Sequence, residues 1–347
     1  MKLATNPYRG TGVSFPGSED VPFPSIDSAA STGLVARCPR AAETPLLQNA
    51  DLATRFGIAR LDLKDERDRM GLGSFKALGA AYVIARDAEA GKAKGRTYVT
   101  ASAGNHGLSV AAGAQAFGAR AVIYLSEQVP QAFADRLTGL GAEVVRAGET
   151  YEASMEAAAE AATSQGYTLL SDSSWPGYTG PPFVLMEGYL ILMEEVFTQI
   201  DAPPTHIFLQ AGVGGLAGAA AALARVRWGD DPRIVVVEPE WAPALAASIK
   251  AGAPVTANGP VSAMGRLDCK EPSLIALKGL SRDADLFATI SEEEGQAGAD
   301  LCAEAGLPST PSGAAGLAAL AASGPLREAL SLDASSRALV ILSEGPE

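Results

Sequence analysis

Positive charge is scarce in this chain: 27 lysines and arginines stand against 40 acids, a net charge of −13 at pH 7. No basic cluster relieves the deficit, which argues against nucleic acid or an anionic membrane surface as a partner. Cysteine is scarcer still. Cys38, Cys269 and Cys302 are odd in number and far apart, which suits neither a disulfide framework nor a zinc site and points to a reducing compartment such as the cytoplasm. Two histidines, His106 and His206, are too few and too separated for a histidine-rich metal site, so no metal is expected. No apolar run is long enough to span a bilayer. Met1–Ala30 is rich in Pro, Ser and Gly and has no apolar segment of the signal-peptide kind.

What is present is a large apolar fraction, 47% of 347 residues, enough for two cores. Residues 1–40 read as an irregular strap full of turn-formers. Beyond them, short β-rich runs ("RLDLKD", "RTYVTA", "RAVIYL", "EVVRA", "YTLLSD", "HIFLQAG", "RIVVVEP", "LFATIS", "RALVILS") punctuate Ala-rich helical stretches at 76–90, 106–117, 130–140, 151–164, 182–199, 215–227, 242–251, 292–305 and 313–322. Strand–helix alternation with continuous apolar strands predicts an α/β protein whose parallel sheets are covered on both faces.

Two glycine segments and one lysine carry the chemistry. In "THIFLQAGVGGLAGAAAALA" a strand runs through a glycine turn into a helix. Gly212, Gly214 and Ala217 satisfy the dinucleotide spacing, and Glu238 ends the strand "IVVVE" 24 residues beyond Gly214, about where a ribose-binding acid would lie. A nicotinamide oxidoreductase is therefore one reading; a phosphate cradle at a helix N-terminus is common to both readings. The segment "TASAGNHGLSVAAG" likewise opens a helix after a strand, and Ser102 to Gly107 present donors suited to a carboxylate. Lys76 in "GLGSFKALGA" precedes a run that is apolar nearly all round. A buried ammonium must be paired or removed chemically. A lysine consumed as an imine needs no charge partner, and an apolar setting favours its neutral, nucleophilic form. The competing reading is a lysine that snorkels to solvent at a helix start.

Taken together, "SFKALGA", "SAGNH", "GVGGL" and "VILSEGP" resemble, in order and spacing, the motifs of the pyridoxal-phosphate enzymes with the tryptophan synthase β-subunit fold (fold type II). The resemblance implies two open, mainly parallel sheets flanked by helices, with pyridoxal 5'-phosphate as cofactor and a small amino acid as substrate. By the same resemblance Lys76, after Phe75, holds the cofactor covalently, and Asn105 bonds its phenolic oxygen. Gly212, Val213, Gly214, Gly215 and Leu216 cradle its phosphate, and Ser343 meets the pyridine nitrogen. Ser102, Ala103, Gly104 and His106 line the site of the substrate carboxylate.

"SDSSWPGYTGPPFVLMEGY" and "SAMGRLDCKEPS" are similar to segments of the diaminopropionate ammonia-lyase branch. That implies elimination of ammonia from a 2,3-diamino acid, with Asp172 holding the ammonium that leaves. Serine, threonine or 3-hydroxyaspartate dehydration on the same scaffold is the near alternative, and a silent cofactor binder a remote one. One departure stands out: the branch carries an aspartate, serving the D isomer, where this chain has Ala103. Trp175, Tyr178 and Tyr189 read as wall and core, and Glu238 as support for a strand end. The resemblance further implies a large domain of 1–78 and 190–347, a small one of 79–189, and a homodimer.

Overall fold

The computed structural model describes residues 1–346. Eleven strands form two sheets. They are β1 (Lys2–Thr5), β2 (Leu46–Gln48), β3 (Arg60–Asp65), β4 (Thr97–Ala101), β5 (Arg120–Leu125), β6 (Glu143–Arg146), β7 (Thr168–Leu169), β8 (His206–Gln210), β9 (Arg233–Pro239), β10 (Leu286–Ile290) and β11 (Arg337–Leu342). The seven-stranded sheet has the order β1-β10-β9-β8-β11-β3-β2, and the four-stranded sheet β6-β5-β4-β7. Both are parallel except at the two edges of the larger one, where β1 runs antiparallel to β10 and β2 to β3.

The apolar runs become strands because both of their faces are covered. Along β11, Leu339 and Ile341 enter one core while Ala338, Val340 and Leu342 enter the other. Each such valine, leucine or isoleucine contributes about 1.5–3 kcal/mol by leaving water.

Two expectations are corrected. The N-terminal strap is not wholly irregular: β1 extends the sheet, and Ala29–Val35 is helical. Both pieces draw their order from tertiary packing, which short half-exposed sequences do not announce. Leu274–Asp283 is also a helix. A Cβ on its Gly279 would lie 2.4 Å from Pro24 Cγ. The glycine is there to let the strap cross.

Two features position the site. The helices Lys76–Glu89 and Gly180–Gln199 cross where Gly79 meets Gly188. A Cβ on Gly188 would stand 2.3 Å from the carbonyl oxygen of Leu78, so the backbones touch. Beneath the crossing, Lys64 pairs with Glu195 at 2.6 Å, and Arg69 pairs with Glu66 and Glu195, each at 2.6 Å. All four side chains are buried, with charges that cancel and hydrogen bonds that fill their remaining positions, as an interior ion cluster requires.

Candidate active site

The topology gathers the expected residues, because parallel strands deliver their following loops to one edge. Ser102 follows β4, Gly212 follows β8, Ser343 follows β11, and Asp172 lies just beyond β7. Asp172 then links the parts. Its carboxylate pairs with the Lys76 ammonium, and its carbonyl oxygen lies 4.0 Å from where a Cβ of Gly215 would stand. Lysine and glycine loop therefore share one cleft.

The helix Gly215–Trp228 starts after Gly214, a left-handed residue (φ 97°) with no side-chain cap. Its first N–H groups lack intrahelical partners and meet the positive end of the helix dipole. Side chains are excluded nearby: a Cβ on Gly212 would come within 2.9 Å of Cys269 Sγ, and one on Gly214 within 2.9 Å of Ala276 Cβ. Val213 and Leu216 complete the turn. The result is a backbone cradle for an anion such as phosphate.

A second uncapped helix, Asn105–Ala116, starts after Gly104. The N–H of Gly104 donates to Ser102 Oγ at 3.2 Å, holding the turn. Ala103 packs its methyl against the core, leaving no acid on this loop next to Gly104. His106 is buried and bonds the carbonyl oxygen of Leu170 through Nε2 at 2.8 Å. A carbonyl only accepts, so Nε2 carries the proton and Nδ1 is a bare acceptor in the neutral ring. Burial pushes the imidazole pKa down, which keeps it neutral.

Lys76 departs from the expectation of an amine without a charge partner. Burial lowers its pKa, but the Asp172 carboxylate and the neighbouring Tyr189 outweigh burial, and the net shift is upward. For Asp172, burial raises the pKa, yet Lys76 and then His106 hold it well below the usual carboxylate range. In the cofactor-free chain the amine is thus held as an ammonium. Phe75 supports it with a ring centroid 5.3 Å from Nζ.

Asn105 donates its amide to Glu344, which also accepts from the Thr310 hydroxyl. Ser343 Oγ accepts from Gln210 Nε2 at 3.1 Å, so the serine keeps its own proton for donation. Sequence reasoning gave Gln210 and Glu344 no role. The signals were there: a polar residue closing the apolar strand "HIFLQ", and an acid directly after Ser343. Trp175 stacks on Tyr178 at 4.3 Å, and the Tyr178 hydroxyl donates to the Leu169 carbonyl, so these two are wall as expected.

The oxidoreductase reading fails at Glu238. Its carboxylate is fully buried and accepts the N–H groups of Leu245 and Ala246 at 2.7 and 2.8 Å, with its pKa pushed up to about 8 by burial. Nothing of it faces a ribose. Pyridoxal phosphate, by contrast, fits what is present: a side-chain-free anion cradle, a lysine in the same cleft, and the buried, unpartnered His106 Nδ1 on a ring that feels both Asp172 and Lys76.

Comparison with known proteins agrees. The family model described as "Pyridoxal-phosphate dependent enzyme" matches residues 39–344. The diaminopropionate ammonia-lyase of Escherichia coli (strain K12) is 32% identical over 334 residues, covering 87% of this chain and 84% of that protein. A serine dehydratase-like protein of Mus musculus is 30% identical over 251 residues, 72% of each. Among solved structures, the Escherichia coli diaminopropionate ammonia-lyase in complex with D-serine superposes with a TM-score of 0.90 at 28% identity, covering 99% of this chain and 93% of that one. The same enzyme with an aminoacrylate-PLP azomethine reaction intermediate gives 0.89 at 30% identity, with the same coverage. The family match takes in every loop of the cleft described above, and the chain belongs to the pyridoxal-phosphate-dependent enzymes.

Proposed function

We propose that the chain is a lyase that removes ammonia from Cβ of a 2,3-diamino acid of the diaminopropionate kind, the product hydrolysing to a 2-oxo acid and a second ammonia. One observation carries the reading: the Lys76–Asp172 pair lies in one cleft with the glycine cradle that follows β8. The ammonia-lyase relatives support it. Gly212 to Leu216 would hold the cofactor phosphate, Asn105 its phenolic oxygen and Ser343 its ring nitrogen. When bound, pyridoxal phosphate supplies the electron sink that acidifies Cα and carries electrons toward Cβ.

The chain's own residues do the rest. The Ser102 hydroxyl, with the N–H groups of the uncapped helix start after Gly104, that of His106 included, orients the substrate carboxylate. Lys76, once neutral, takes the Cα proton. While the amine is still neutral Asp172 lacks its countercharge, and a partly buried carboxylate without one is a strong site for a substrate ammonium. This makes Asp172 the selector for an amino leaving group over a hydroxyl. The Ser343 hydroxyl cannot keep a ring nitrogen protonated as a carboxylate would, which favours elimination over transamination. A small domain of 79–189 closing on the remainder would exclude water during the reaction, and the working form would be a homodimer.

The test is a coupled oxo-acid assay over L- and D-diaminopropionate, serine, threonine and 3-hydroxyaspartate. Asp172→Asn should lower kcat/KM for diaminopropionate by roughly 30-fold or more, the scale of one lost charge-assisted hydrogen bond. Serine turnover should fall only a few-fold. An equal loss on both substrates refutes the selector role, and oxo acid from hydroxy amino acids alone would make the chain a dehydratase.

A further inference from the structure

Tyr189 does more than line a wall. The Gly79–Gly188 crossing draws its ring between the two elements that matter: Cε1 lies 2.7 Å from where a Cβ of Gly79 would stand, and Cε2 lies 3.5 Å from that of Gly215. The ring packs edge-on against Phe75, centroids 4.9 Å apart at 62°. At 1% exposure the side chain has left water, and its hydroxyl makes no close hydrogen bond; Lys76 is the side chain that bears on it as a hydrogen-bonding group. Burial pushes the phenol pKa up, and the charges acting on it are those of Lys76 and Asp172. The other titratable groups around that pair are His106, Tyr151 and Cys269. A neutral phenol at a helix crossing has no reason to carry an oxygen unless that oxygen finds a partner during function.

The proposed function supplies one, and the inference rests on it. Asp172 has two tasks that conflict, because it pairs with Lys76 whenever that amine is free and is needed for the substrate ammonium during turnover. A carboxylate turned to the substrate no longer fixes the lysine nitrogen. We infer that Tyr189 is a positioning residue whose hydroxyl oxygen accepts an N–H of Lys76 beside Asp172 in the substrate-free chain and keeps it when Asp172 engages the substrate. An acceptor leaves the lone pair of the neutral amine undisturbed and aimed at Cα; a donor in the same place would occupy it. The device thus keeps the base oriented in the step where its charge partner is taken away.

Tyr189→Phe removes the oxygen and keeps the ring. The measurement is the rate at which the apoprotein develops its visible pyridoxal phosphate band, followed against pH. Loss of an acceptor for the ammonium should move the profile to lower pH by about half a unit, since less of the lysine stays protonated. Turnover should show kcat down about tenfold with KM within about twofold, the mark of a group that acts after binding. Leu185→Ala is the control for packing: Leu185 touches the same crossing at Gly79, so this variant should lose thermal stability and keep the uptake profile. If Tyr189→Phe reproduces both the wild-type profile and kcat, the hydroxyl does not position Lys76. A wild-type protein that forms no band at all would overturn the cofactor assignment along with this inference, so the two failures are distinct.

Discussion

Lys76→Ala is expected to lower turnover by at least about a thousandfold, the contribution of a positioned acid–base group, and to abolish the borohydride-sensitive visible band. The apoprotein should also lose stability, by a mechanism unrelated to the cofactor. Removing the lysine leaves Asp172 in the cleft without its countercharge. The side chains are 22% and 20% exposed, so solvent screens part of the effect. A loss of about 1–2 kcal/mol is expected, less than the roughly 3–5 kcal/mol of a fully buried pair. The pH dependence fixes the cause. In the wild type Asp172 has a depressed pKa, so its stabilisation is complete above the unfolded value of 3.8 and is lost only in stronger acid. In the variant both contributions of Lys76 are gone, and burial, the largest cause, raises that pKa against what is left from His106 and a backbone hydrogen bond, so the folded state takes up a proton more readily than the unfolded one. Thermal midpoints of the two proteins should therefore converge as pH falls from 7 toward about 4.5. Lys76→Ala combined with Asp172→Asn should recover most of the loss at pH 7. A gap that is constant with pH would show that the pair contributes nothing through charge.

The strand–helix framework was legible because central strands are buried on both faces: "IVVV" in β9 and "ALVIL" in β11 cannot be mistaken for half-exposed segments. The glycine loops were legible because their chemistry is local, a strand end, a turn and a helix start within a few residues. Side-chain partnerships were not. Lys76 and Asp172 are 96 residues apart in sequence, and Asn105 and Glu344 are 239 apart; no local pattern couples them. Lys64, Glu66 and Arg69 sit in "LKDERDR", where nothing local announces Glu195, which arrives from another helix to complete the cluster. The helix Leu274–Asp283 is hidden for a related reason: its Gly279 answers to Pro24, far away in the chain. Glu238 held the spacing of a ribose-binding acid, but spacing carries no information on whether a carboxylate is already spent on backbone donors.

Gly188→Ala should damage turnover out of proportion to stability. The new Cβ would stand 2.3 Å from the Leu78 carbonyl oxygen, 3.0 Å from its carbonyl carbon and 3.2 Å from Gly79 Cα. All three are backbone atoms within the helix that begins with Lys76, and no rotamer change can move them. A relaxed carbon–oxygen contact needs about 3.3–3.6 Å, so the helices must separate by roughly 1 Å. Overpacking of this kind costs about 1–3 kcal/mol, while alanine in place of a helical glycine returns up to about 1 kcal/mol. The thermal midpoint should therefore fall by only a few degrees. Activity should fall much further, by about 100-fold, because a 1 Å displacement of a reacting group is that expensive. The disproportion is the diagnostic: Lys76 and Tyr189 lie on the two helices being pushed apart, one residue or a few from the contact. Gly180→Ala, in the same helix with open space around it, should leave turnover and stability near wild type. Wild-type turnover in Gly188→Ala would mean that the crossing does not set the position of Lys76, and that the lysine is held by its ion pair alone.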